Sequence, residues 1–284
     1  MKKYYHIYTR GLENDVIFRS TDDYIVGMNY VPVALHDKDI SLLAFTLMSN
    51  HFHFIVWSTE QHAVDFINTY KNLISRYIYS KYRTRELLRK VSTGISAING
   101  GEEGLKEKIA YVLNNPAEAG INCFALSYEW GSGKCYFTGM NHHPSNVRLS
   151  SHTARDQRRI LRTHVKLPQD YQITPAGHID PTSYIDWKSV EQLYHKATSM
   201  QYHLNMSRKN MTRSRYSLCF TDDLLLNIVS QMLEKNFGGL AVSELSLESV
   251  STLVKDLNRR LNSSAKQIAR VLGLPVQNIV DILK

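Results

Sequence analysis

The sequence predicts an α+β sandwich with a central antiparallel sheet, followed by an all-α C-terminal domain. Two observations carry this. Residues 1–137 alternate as strand, helix, two strands, helix, strand, helix, and residues 186–284 show helical periodicity to the end. A third, the 43% hydrophobic content against 21% charged, excludes wholesale disorder.

The elements follow in order. Tyr4 to Thr9 reads as a short strand ending at Arg10-Gly11, with a loop to Phe18. Ser20-Thr21-Asp22-Asp23 starts a helix, because a hydroxyl can cap and acids suit the first turn. That helix is expected to reach about Tyr30 and stop before Pro32. Ile40 to Met48 is a mostly apolar strand, and Ser49-Asn50 turns the chain into a second one, His51 to Trp57. His62 to Tyr82 is helical in period through Val64, Ile67, Tyr70, Ile74, Tyr77 and Ile78. Gly94 to Ile98 is a short strand. Gly104 to Asn115 is a helix expected to stop at Pro116.

The 284 residues suit two domains. After Phe137 the character changes. Residues 138–185 hold four of the seven prolines, and between Arg148 and Lys166 the cations Arg148, Arg155, Arg158, Arg159, Arg162 and Lys166 face one acid, Asp156. This reads as a basic linker, or an arm laid along something negative. Lys196, Arg208, Lys209, Arg213 and Arg215 form a second cluster with no acid between them. Taken alone, either cluster has a plainer reading as a solvated face.

Lys and Arg number 34 against 26 Asp and Glu, a net charge of +8, which points to a polyanion. A membrane is disfavoured: runs such as Phe54-Ile55-Val56-Trp57 fall far short of the ~20 apolar residues a span needs. Met1-Lys2-Lys3-Tyr4-Tyr5-His6 has no apolar stretch of a secretory signal. Cys123, Cys135 and Cys219 form no C-x-x-C pair and read as reduced thiols, so the expected compartment is the cytoplasm. The 17 tyrosines could stack bases, or one could act chemically.

Two stretches carry chemistry. In Ser49-Asn50-His51-Phe52-His53-Phe54, strand alternation puts His51 and His53 on one face, where two imidazoles can chelate one divalent ion. One His-x-His is more often incidental than a metal site. In Tyr111-Val112-Leu113-Asn114-Asn115-Pro116, Tyr111 and Asn115 lie four apart on one helix face, and Asn115 offers an oxygen acceptable to Mg²⁺ or Mn²⁺. If this helix packs beside the histidine strand, ion and phenol meet. The plainer reading is a buried Tyr with Asn-Pro as a helix stop. Tyr70, Tyr77, Tyr79 and Tyr82 compete for the chemical role, but core packing or base stacking suits their spacing better. His6 and Lys71 are conceivable bases.

Together these residues resemble the single-tyrosine HUH transposases, most closely the REP-associated tyrosine transposase group. That group's Met-Pro-Asn-His-x-His run appears as Met48-Ser49-Asn50-His51-Phe52-His53, with Ser49 in place of the proline. Its Tyr-x-x-x-Asn-Pro run appears as Tyr111 through Asn115-Pro116. Tyr5-His6, Arg10-Gly11, Ile17-Phe18 and Asp22-Asp23 look like its opening strand, glycine turn and first helix. The resemblance covers residues 1–137 and implies a ferredoxin-like HUH sandwich, with Tyr111 as nucleophile and His51, His53 and Asn115 as ligands of Mg²⁺ or Mn²⁺. It implies attack on single-stranded DNA beside a hairpin, a 5′-phosphotyrosine and strand transfer, in transposition or repeat-palindrome processing. Monomer and homodimer both suit it.

Near the C-terminus, Ala269, Gly273 and Ile279 have the spacing of a helix-turn-helix within residues 249–284. Gln277 and Asn278 then open a recognition helix, with Arg259, Arg260, Lys266 and Arg270 nearby for duplex DNA; a protein-contact module is the alternative. Expected DNA contacts are Arg10, Arg158, Arg159, Arg162, Arg208, Lys209, Lys266, Arg270, Gln277 and Asn278. Removing residues 186–284 should weaken target binding and spare the nicking chemistry. The leading expectation is a metal-dependent single-strand DNA endonuclease and strand transferase. The alternatives are a non-catalytic DNA-binding regulator with the same fold, and a protein whose His pair only braces a sheet.

Overall fold

The computed structural model describes the chain apart from residues 10–15, 85–87, 89–91, 120, 122–123, 140–142, 211–221 and 262, and apart from the side chains of residues 118, 209, 210 and 260. Its centre is a four-stranded sheet in the order β2-β3-β1-β4, every neighbouring pair antiparallel. The strands are β1 (Lys3–Thr9), β2 (Ser41–Leu47), β3 (Phe52–Ser58) and β4 (Thr93–Ala97). Helix α1 (Thr21–Leu35) joins β1 to β2, α2 (Glu60–Tyr82) joins β3 to β4, and α3 (Gly101–Glu118) follows β4. Each of the first two helices crosses over one intervening strand, which is the split β-α-β arrangement of the ferredoxin-like connectivity.

Ser20 caps α1 as expected: its hydroxyl accepts from the Asp23 N–H, and Asp23 accepts from the Ser20 N–H. The two proline stops do not hold. Helix α1 runs through Pro32 to Leu35, its last turns buried through Val31, Val33 and Ala34. Helix α3 runs through Pro116. Pro116 cannot donate to the Val112 carbonyl, and the Thr46 hydroxyl on β2 donates to it instead at 2.8 Å. A side chain on the sheet thus replaces the bond the ring removes.

The outer edge of β2 is covered. The Leu47 N–H donates to Trp130 O, Ser132 N–H to Phe45 O, and Asp186 N–H to Leu42 O. The main core holds Phe45, Phe52, Phe54, Phe66 and Tyr70, all 0% exposed. It also takes in Val190 and Tyr194 of α5 (Trp187–Tyr194) and Met200 and Leu204 of α6 (Ala197–Asn210). These two helices therefore pack with the first half of the chain. The expected boundary at residue 186 cuts through a shared core, because their apolar faces bury against α3 and β2 rather than against later helices.

The stretch read as a linker also carries structure. It contains β5 (Val147–Arg148), paired with β6 (Gln172–Ile173), and α4 (Ala154–Leu161). Leu149, Leu161, Leu167, Ile173 and Ile179 form a small core closed by Val33 of α1. Its few apolar residues lack a helical or strand period, so periodicity could not reveal it. A separate core joins α7 (Asp222–Phe237), α8 (Leu247–Leu261), α9 (Ala265–Leu272) and α10 (Val276–Leu283). Between α9 and α10, Gly273 has φ of +67°, as the expected tight turn requires. No helix among the described residues is long and apolar enough to cross a membrane.

Candidate active site

Strands β1 and β3 and helix α3 bring the expected residues together. Tyr8 pairs with His53 across β1 and β3, so His6, two residues earlier, lies on the same face. His6 Nε2 is 2.9 Å from His53 Nδ1, and their rings stack at 5.1 Å. Tyr8 stacks on His6 at 4.9 Å. Gly94 on β4 makes room for Tyr8: a Cβ there would lie 2.2 Å from its ring.

His51 lies one residue before β3 rather than on it. A buried turn places it. Ser49 O accepts from the N–H groups of Ile17 (2.7 Å) and Phe18 (3.0 Å), and Met48 N–H donates to His51 O at 2.8 Å. The rings of His51 and His53 still meet edge to face at 5.0 Å. The Met48–His51 bond extends the pairing of β2 and β3 by one residue, and the turn fixes that extension.

Helix α3 supplies the other side. The Tyr111 ring stands edge-on to His6 at 6.0 Å and to His53 at 5.8 Å. Asn115 Nδ2 donates to Tyr111 O at 3.1 Å, which turns its Oδ1 toward His51 Nε2, 3.4 Å away. On its other side, His51 Nδ1 donates to Asn50 Oδ1 at 2.7 Å. A neutral imidazole has one N–H, so His51 Nε2 presents a lone pair to the Asn115 oxygen. Two acceptors 3.4 Å apart suit neighbouring ligand positions on one divalent cation, which would sit about 2.0–2.1 Å from each and off the line joining them.

Electrostatics keeps these rings neutral. Burial, then the charge of Lys108, lowers the His6 pKa to about 4. Burial lowers that of His51 to about 4, with Arg270 adding to it against Asn115 and Asp222. His53 lies well below the ordinary value, through burial and then the neighbouring His51, His6 and Lys108. Neutral nitrogens are what a metal needs. Among the described residues no group of three or more His, Cys, Asp or Glu is placed to hold a metal ion. The candidate donors are two imidazoles and one amide oxygen.

Two residues join the expected set. His6, conceivable as a base from the sequence, is brought by strand register against His53 instead. Lys108, one turn before Tyr111, places its ammonium 5.1 Å from the Tyr111 ring centre, and i to i+3 spacing could have found it. The competing tyrosines are elsewhere. Tyr70 is fully buried and donates to Gly27 O, while Tyr77 and Tyr82 donate to Asp23. Lys71 donates to Thr93.

The expected DNA contacts scatter. Arg10 lies outside the described residues, as does the Lys209 side chain. Arg208, Lys266, Gln277 and Asn278 are exposed, Gln277 donating to Asp281 at 3.0 Å. Arg159 pairs with Asp156 at 3.4 Å. Arg162 lies over the Tyr77 ring and 3.7 Å from Asp22. Arg270 does not face outward: it binds the Asp222 carboxylate, whose only 4% exposure makes this an internal ion pair.

No family model and no curated protein matches the chain. Among solved structures, a REP-associated tyrosine transposase bound to a REP hairpin is similar at 11% identity, over 46% of this chain and 75% of that one, with a TM-score of 0.34. A likeness at that level carries no weight for fold or function, and the residues of the site stand on their own.

Proposed function

We propose that the chain is a metal-dependent single-stranded DNA endonuclease and strand transferase, acting in transposition or repeat-palindrome processing. The observation that carries this reading is the convergence of Tyr111, His51, His53 and Asn115 on one face of the sheet. His51 Nε2, His53 and Asn115 Oδ1 would hold Mg²⁺ or Mn²⁺. A divalent cation bound there supplies Lewis-acid polarisation of a phosphodiester.

The protein's own residues do the rest. The Tyr111 oxygen attacks the scissile phosphorus, forming a Tyr–O–P bond while the P–O3′ bond breaks and a 3′-hydroxyl leaves. Phenols ionise at about pH 10, so the attacking oxygen needs positive charge nearby. Lys108, beside the ring, provides some. His6, neutral and hydrogen-bonded to His53, orients that ring. Attack on the phosphotyrosine by a second 3′-hydroxyl reverses the step and joins strands.

The test is a covalent protein–oligonucleotide adduct on a denaturing gel, with Mn²⁺ and a hairpin flanked by single-stranded DNA. Wild type should form it and Tyr111→Phe should not. Full cleavage by Tyr111→Phe would sink the assignment. Specific DNA binding without any adduct would favour the regulator reading, which the exposed start of α10 supports.

A further inference from the structure

A cavity of about 690 Å³ opens where the end of α1 meets the basic segment 150–169. It is lined by His36, His152, Arg158, His164 and Lys166, and by no Asp or Glu. Three separate stretches of chain therefore deliver cationic or imidazole side chains to one depression. Asp37 reaches His36 at 3.2 Å, but among the described residues no carboxylate pairs with Arg158 or Lys166. Unpaired cations converging on a concavity leave a local positive potential.

The floor is fixed. Gln157 Nε2 donates to Leu149 O at 2.9 Å, to His152 O at 3.1 Å and to Gln169 Oε1 at 2.9 Å. Leu149, Leu161 and Leu167 anchor the segment from below. Ala154, the first residue of α4, also lines the cavity, and Thr153 caps that helix by accepting from the Asp156 N–H. Outside it, the exposed Arg155 continues the row along α4, followed by Arg159, which pairs with Asp156 at 3.4 Å.

We propose that this cavity and the adjoining α4 row seat backbone phosphates of DNA bound by the chain. A polyanion fits better than a small phosphate compound, because the cations of α4 are not confined to the cavity: Arg158 lines it, while Arg155 and Arg159 stand outside it on the same helix, four residues or about 6 Å apart at ~1.5 Å each. The choice of DNA as the partner rests on the function proposed above; the phosphate chemistry rests on the cavity.

The experiment measures affinity of the full chain for a labelled hairpin with a single-stranded flank, across a salt series. The double variant Arg158→Gln/Lys166→Gln removes two exposed cations that hold no carboxylate. It should bind about tenfold more weakly, and its slope of log K against log salt should be shallower by ~2, at ~0.9 per lost phosphate contact. The control Lys188→Gln/Lys235→Gln removes equal charge from exposed positions on α5 and α7, outside both the cavity and residues 249–284, and should leave the slope unchanged. An unchanged slope in the first variant, or an equal fall in the control, overturns the proposal. So does protection of the fold by millimolar inorganic phosphate or a mononucleotide, abolished by the double variant, without any effect on DNA affinity. Adduct formation is scored apart: a slope that falls as expected in a chain forming no adduct sinks the transferase reading alone, and an adduct with an unchanged slope sinks the cavity alone.

Discussion

Arg270 grips the Asp222 carboxylate at both oxygens, Nε to Oδ2 at 3.0 Å and Nη2 to Oδ1 at 3.2 Å. The same carboxylate accepts the Ser49 hydroxyl, two residues before His51. One buried acid at the start of α7 thus ties the C-terminal helices to the turn that positions an imidazole. Ser49 is where the chain departs from the resembled motif, and a proline there would have no hydroxyl to give.

Removing Arg270 leaves that carboxylate buried without its charge partner. Arg270→Met should destabilise by ~3–5 kcal/mol, whereas Asp222→Asn, which removes the charge and keeps much of the shape, should cost less. Urea unfolding of both variants checks the order. Equal costs would mean the pair is effectively solvated.

The same contact changes the truncation experiment. Ending the chain at residue 186 strips Val190, Tyr194, Met200 and Leu204 from the main core, so misfolding is the expected result. Ending it at residue 221 spares that core but removes Asp222. The loss of one hydrogen bond at the His51 turn, worth ~1 kcal/mol, should slow adduct formation about fivefold rather than spare it. A rate equal to the full chain, measured at saturating DNA, would show that the turn holds itself.

The metal reading makes a separate prediction. Mn²⁺ should raise the Tm of the wild-type chain, and His51→Ala should abolish both that rise and cleavage. Unchanged cleavage in excess chelator would rule the site out.

The acid limb of stability follows from the histidines. His6 ionises near 6.5 when unfolded and at about 4 when folded, so the unfolded chain binds more protons between these values. Stability is therefore full above pH 6.5 and is lost as pH falls toward 4. For His6 alone the loss is on the order of 3 kcal/mol. The urea midpoint should fall over this window without metal, and less steeply in His6→Asn.

What the sequence made legible was whatever depends on residues close together in the chain. The His51-Phe52-His53 run, the Tyr111–Asn115 turn, the capped start of α1 and the glycine turn before α10 each depend on near neighbours. What it hid depends on pairs far apart. His6 meets His53 only through strand register, Arg270 meets Asp222 only when α7 packs on α9, and the small core under residues 147–185 needs Val33 to close it. Proline rules failed at Pro116 for the same reason, since the compensating donor lies on another element.

That compensation can be measured. Thr46→Val keeps the shape but strips the hydroxyl from the Val112 carbonyl, which Pro116 cannot serve. A buried carbonyl left without a donor costs ~1–3 kcal/mol. Pro116→Ala restores an N–H one turn below Val112, so in that background Thr46→Val should cost less than half as much. The coupling comes from urea unfolding of the four chains. Additive costs would mean that Thr46 does not stand in for the helix bond, and that α3 runs through Pro116 on apolar packing of Ile109, Val112 and Leu113 alone.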